Sequence, residues 1–144
     1  MNIKLWKPTL EEILKYFQGL EGEALIRDFL KSKRILHFQV DLIFLKDGKY
    51  FLAEVKNQEP YLPPPFEGHG LPEWQIKARL DFADATGVEP WLFVCDPIHK
   101  QIYCRGLREL NNGEHFDTNG DRPRRIFPLS CFHTLLKEGI TAHA

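Results

Sequence analysis

The 144 residues are 43% hydrophobic and 27% charged, with a formal net charge of −1. That composition is ordinary for a globular chain, large enough for one domain with a real core, and it leaves no global basic field to advertise nucleic acid, so any DNA binding must rest on a local patch. No apolar run approaches the length of a membrane span, and the opening MNIKLWKPTLEEI lacks the apolar core of a signal peptide, so an intracellular, cytoplasmic protein is expected. Cys95, Cys104 and Cys131 form no C-x-x-C pair and are odd in number, which predicts reduced thiols and not a zinc site or disulfide framework.

In chain order, TLEEILKYFQ (Thr9 to Gln18) reads as a helix with Thr9 as N-cap and Glu11 and Glu12 in the first turn. Gly19 and Gly22 loosen the chain before a second helical stretch, Glu23 to Lys33, in which Glu23 borders the apolar stripe of Ile26 and Leu30. Two strand patterns follow, Ile35 to Leu45 and Lys49 to Lys56, joined by Lys46-Asp47-Gly48, whose Asp-Gly is a hairpin signal. The segment Asn57 to Pro72 is rich in Pro and Gly and reads as a long loop bearing Tyr61, Phe66 and His69. Glu73 to Thr86 reads as a helix with Trp74, Ala78, Phe82 and Ala85 on its apolar side and Gly87 as C-cap. Glu89 to Asp96 is a dense apolar run suited to a buried strand reached by a crossover helix, and Gln101 to Gly106 continues as a further strand. Asn111 to Arg125 reads as polar loop, and Ser130 to Gly139 as a short closing helix. The expected fold class is therefore α/β (α+β), a mixed β-sheet flanked by helices within a single domain.

The residues that call for explanation are Asp41, Glu54 and Lys56. Hairpin pairing through Asp47-Gly48 sets opposite each other residues whose numbers sum to about 95, which brings Asp41 to within a residue of Glu54. Two converging carboxylates are unfavourable unless a proton or a cation lies between them, and a hard divalent ion with oxygen ligands resolves the conflict. Lys56 lies one strand step beyond Glu54, a positive arm suited to holding a water or to meeting charge on a phosphate.

Asp41, twelve intervening residues and then Glu54-Val55-Lys56, with Gly22-Glu23 on a preceding helix and Gln75 on a following one, resembles the PD-(D/E)XK nuclease superfamily. Within it the pattern is similar to the archaeal-type Holliday junction resolvases and small resolvase-like proteins. The resemblance runs from about residue 19 to residue 96, and Gln39-Val40 stands where the superfamily's name would place a proline. It implies a restriction-endonuclease-like fold with an αβββαβ-type core over about 19–110, followed by a C-terminal loop and short helix. It also implies that Asp41, Glu54 and the Val55 carbonyl would ligate Mg²⁺ or Mn²⁺, with Glu23 a further ligand directly or through water. Lys56 would orient or activate the water, and Gln75 would steady the site or touch phosphate. The implied function is metal-dependent hydrolysis of DNA phosphodiesters, structure-specific or of repair and recombination type, with a homodimer where a double cut is needed.

Each residue also has a plainer reading. Glu23 can pair with Arg27 one helical turn on, Asp41 can cap a turn, and Glu54 with Lys56 can be a same-face surface pair. Arg79 shares the Gln75 face and is a candidate phosphate contact, His69 a substrate contact or proton donor, and Arg122, Arg124 and Arg125 either a DNA-backbone patch or a solvated loop. Lys77 is expected to be solvated. Tyr61, Phe66 and Trp74 can stack on unpaired bases or pack the loop. The rival functions are a non-catalytic nucleic-acid-binding domain on the same fold and a structural protein in which the Glu54-Lys56 pair is incidental.

Overall fold

The computed structural model describes residues 21–136 except 36, 38 and 39, and of residues 21–23 only the backbone. The predicted helix at Thr9 to Gln18 lies outside the described residues. The chain divides into two compact units, 1–39 and 40–144. In the first, helix α1 spans Glu21–Ser32. Arg34 takes a left-handed φ of 55°, and the Ile35 N–H bonds back to the Leu30 carbonyl at 3.0 Å. Ile35 is thus still closing the helix, which is why the first strand does not begin where its β-branched pattern suggests.

In the second unit, β1 (Leu42–Lys46) and β2 (Lys49–Asn57) form the expected antiparallel hairpin. Asp47 and Gly48, with φ of 50° and 77°, make the tight turn whose backbone matches the twist of the strands. Leu42 faces Ala53 and Lys46 faces Lys49, so opposed residue numbers sum to 95. The predicted crossover helix is α2 (Glu73–Thr86), closed by Gly87 at a φ of 79°, and it delivers β4 (Glu89–Asp96) parallel to β2. β5 (Gln101–Gly106) returns antiparallel to β4, and β8 (His133–Thr134) closes the order β1-β2-β4-β5-β8.

The remainder departs from the sequence expectation. The long loop contains β3 (Gly68–Pro72), which pairs with β7 (Arg124–Pro128), itself paired with β6 (Phe116–Asp117), in a second, three-stranded antiparallel sheet. Gly68-His69-Gly70 is a poor strand sequence, but β7 runs so close that a Cβ at Gly68 would strike the Phe127 carbonyl and one at Gly70 the Arg125 carbonyl. A short helix, α3 (Leu107–Asn112), follows β5. The predicted closing helix is instead a single 3₁₀ turn, Leu129–Cys131, and then β8, within the described residues. The Gln101 amide holds that segment extended, donating to the Leu136 carbonyl at 2.7 Å and accepting the Leu136 N–H at 2.9 Å.

The core lies where one face of the five-stranded sheet meets α2, α3 and the smaller sheet, with Leu92, Val94 and Tyr103 packed on Leu71, Ile76, Leu107, Leu110, Phe127 and Phe132. Burial of these side chains supplies the main driving force for the fold. Among the described residues, no helix is long and apolar enough to cross a membrane. Gly70→Ala is expected to lower unfolding free energy by about 1–3 kcal/mol through overpacking. Gly106→Ala, whose Cβ would meet only the Glu109 side chain at 3.5 Å, is expected to change it by less than about 0.5 kcal/mol. Urea denaturation of the two variants checks both values.

Candidate active site

Glu54 stands near the middle of β2, and its side chain shares a face of the sheet with Leu52 and, across the parallel pairing, Leu92. That face is the core face, and Glu54 is only 4% exposed. A carboxylate there must be compensated, because burying an unpaired charge is costly. Helix α2 provides the compensation. Its Gln75 Nε2 donates a hydrogen bond to Glu54 Oε1, and one turn later Arg79 brings Nε and one terminal NH₂ each to 3.4 Å from Oε2. Lys56, on the same strand face, holds Nζ 3.7 Å from Oε1 and is 31% exposed at its side chain. Glu54 is therefore the centre of three nitrogen-bearing side chains, Gln75, Arg79 and Lys56.

Asp41 precedes β1 by one residue, one step beyond the Leu42–Ala53 pair and hence across from Glu54. It is exposed, and its Oδ2 accepts the Val55 N–H at 2.8 Å. The Asp41 carboxylate replaces the ladder partner that β1 no longer supplies. In an extended strand the N–H and C=O of one residue face the same neighbour, so the Val55 carbonyl lies on the edge of β2 that Asp41 occupies. Two carboxylates and a carbonyl, all hard oxygen donors, suit Mg²⁺ or Mn²⁺ in kind. Among the described residues no three acidic, His or Cys side chains gather closely enough to form a metal cluster by themselves. Glu23 is on α1, and its side chain lies outside the described residues.

No family model and no curated protein matches the chain. Among solved structures, that of Hjc, a Holliday junction resolvase from the archaeal hyperthermophile Archaeoglobus fulgidus, is similar, with 13% identity, 80% of this chain and 92% of that chain covered, and a TM-score of 0.44.

Two expected surface residues turn inward. Arg79 is 3% exposed and engaged with Glu54, so it is not placed to grip a DNA backbone. The reason is the orientation of α2: its buried residues are Gln75, Ile76, Arg79 and Ala83, while Trp74, expected on the apolar side, is 66% exposed. His69 is fully buried and not on a flexible loop, which removes it as a direct substrate contact. Its Nε2 lies 2.8 Å from Asp96 Oδ2, and its Nδ1 lies 2.9 Å from Gln58 Oε1. Gly70 orients the Gln58 amide, its N–H donating to Oε1 and its carbonyl accepting from Nε2, each at 3.2 Å. Nδ1–H must therefore donate to Gln58, and one proton must lie between Nε2 and Asp96. Burial works to lower the hold of the His69 ring on its second proton, opposed by the hydrogen bond and charge of Asp96.

Of the basic stretch, Arg122 is exposed, whereas Arg124 lies over the Tyr61 ring at 5.9 Å and Arg125 forks onto Asp117 at 2.7 and 2.9 Å. Arg124 and Arg125 are successive residues of β7 and so address opposite faces of the small sheet. Tyr61 is thereby packed, as the plainer reading has it. Trp74 and Arg122 instead line an open cleft of about 590 Å³ with Lys77 and Asp81. Lys77 is exposed and paired with Asp81, as a solvated helix lysine should be.

Asp96 is the buried group that sequence reasoning missed; the only hint was an Asp closing an apolar strand just before Pro97. Burial alone would raise its carboxyl, but the N–H groups of His99 and Ile98 and the His69 ring more than offset this and hold it below the ordinary 3.8. A carboxylate lowered in the folded state contributes stability that is fully present above its unfolded value and lost as pH falls through the folded one. Asp96→Asn should therefore cost about 3–5 kcal/mol at pH 7, the range for breaking one side of a buried pair. The gap to the wild type should narrow in melts taken below about pH 4.

Proposed function

We propose that the chain is a metal-dependent endonuclease that hydrolyses DNA phosphodiesters, of structure-specific or repair and recombination type. The observation that carries this reading is the cross-strand opposition of Asp41 and Glu54 with Lys56 on the Glu54 face. A bound Mg²⁺ or Mn²⁺ would polarise the phosphoryl group and lower the pKa of a coordinated water. Asp41, Glu54 and the Val55 carbonyl would hold it, with Glu23 as a further candidate from the sequence. Lys56, whose side chain reaches solvent, would orient the attacking water and meet the charge that builds on the phosphate. Gln75 fixes the rotamer of Glu54, a positioning role that leaves the carboxylate aimed at one place.

DNA contact would fall to exposed groups: Arg122 and Trp74 along their cleft, and Lys46 and Lys49 at the hairpin tip. Arg105 and Arg108 are engaged internally, with Glu109 and with Glu89 and Asp84. A weakly basic surface of this kind would give binding of modest salt dependence. Two copies would act together where both strands are cut.

One observation favours the alternative, a non-catalytic nucleic-acid-binding domain: both oxygens of Glu54 already have partners. Cleavage assays on labelled duplex, flap, single-stranded and four-way DNA separate the two. The nuclease reading expects cutting with Mg²⁺ or Mn²⁺, none with chelator, and a loss of about a hundred- to a thousandfold or more in Asp41→Ala and Lys56→Ala, the order typical of removing a group that stabilises transition-state charge. Binding without cutting by wild type under every metal condition supports the alternative.

A further inference from the structure

Resting on the metal-site reading above, we infer that Arg79 is an internal counter-ion with which a divalent cation must compete for Glu54. The two carboxylates of the site stand in different surroundings. Asp41 is exposed, with one oxygen on the Val55 N–H. Glu54 is enclosed, and its Oε2 faces two nitrogens of a guanidinium that is itself 3% exposed. Without Arg79, the enclosed Glu54 carboxylate would be left with the Lys56 ammonium, 3.7 Å from its other oxygen.

The pairing follows from helix geometry. Gln75 and Arg79 are four residues apart on α2 and so occupy one face, over the strand, one residue for each oxygen of Glu54. Both Arg79 contacts, at 3.4 Å, are longer than a usual charge-assisted hydrogen bond. Arg79 thus neutralises Glu54 without gripping it, an arrangement from which one oxygen can turn to another cation. A divalent ion arriving at Asp41 must draw Glu54 away from Arg79, and its affinity is lowered by the pairing it displaces. The consequence is a site that folds without metal and binds metal less tightly than two bare carboxylates would.

The test needs no substrate. Manganese binding by the whole chain is measured by electron paramagnetic resonance titration, with thermal melts in chelator and in Mn²⁺, for wild type, Asp41→Ala, Arg79→Gln and Arg79→Lys. Arg79→Gln is expected to bind Mn²⁺ about tenfold more tightly, the order for removing one charge near a divalent ion in a partly screened site. It should also melt below wild type in chelator and recover with Mn²⁺. Arg79→Lys, which keeps the charge, should bind within about twofold of wild type. If Arg79→Gln does not fold in chelator, its rescue by Mn²⁺ supports the same conclusion and failure of that rescue opposes it. Unchanged or weaker Mn²⁺ binding by folded Arg79→Gln overturns the counter-ion role while leaving the metal site standing. Equal binding by wild type and Asp41→Ala overturns the metal site, and the counter-ion role with it.

Discussion

A buried carboxylate, that of Glu54, sets the conditions for everything around it. It sits on the core face of β2, an internal strand of the larger sheet, where an apolar side chain would be the easy choice. Helix α2 answers by turning Gln75 and Arg79 inward, which leaves Trp74 outside on the first turn. The helix thus looks weakly amphipathic because two of its buried residues are polar. The same constraint acts on β1: where the strand stops, Asp41 closes the ladder with its side chain, and the second carboxylate arrives across from the first.

A second polar network lies farther along the same two parallel strands. Gln58 follows β2 and Asp96 ends β4, and between them His69 is enclosed by a strand whose glycines let β7 approach. Both networks are held by side chains that a surface reading would have left in water. Asp96 takes two backbone N–H groups on one oxygen and the imidazole on the other, and such full satisfaction is what makes a buried polar group tolerable. Arg79, Arg105, Arg108 and Arg125 are likewise spent on interior or local partners. Among the described residues, the exposed positive charge falls on lysines, Arg34 and Arg122.

Local signals carried much of this. The Asp-Gly turn fixed the hairpin register, so that the facing of Asp41 and Glu54 was legible before any coordinates, as were the limits of α2, β4 and β5. The small sheet was not legible. Its strands are short, β3 alternates glycine with His and Leu, and it exists because of close non-local packing that no window of sequence contains. The inward turn of Arg79 and His69 was hidden for the same reason: residue type argued for a surface, and only the partners Glu54 and Asp96, 25 and 27 residues away, reverse that preference. The apparent closing helix failed because Phe132 is drawn into the core and Gln101 clasps the chain beyond it.

The central claim is that the oxygens of Asp41 and Glu54 form one cation site. Its most direct measurement is the anomalous scattering of a crystal soaked in Mn²⁺, collected beside a soak in chelator. The expected result is a metal-dependent peak between the two carboxylates, within about 2.0–2.6 Å of oxygens from both, the range for divalent ions on oxygen ligands. A peak bound elsewhere, or a Glu54 that keeps Gln75 and Arg79 unchanged while Mn²⁺ ignores Asp41, would contradict it.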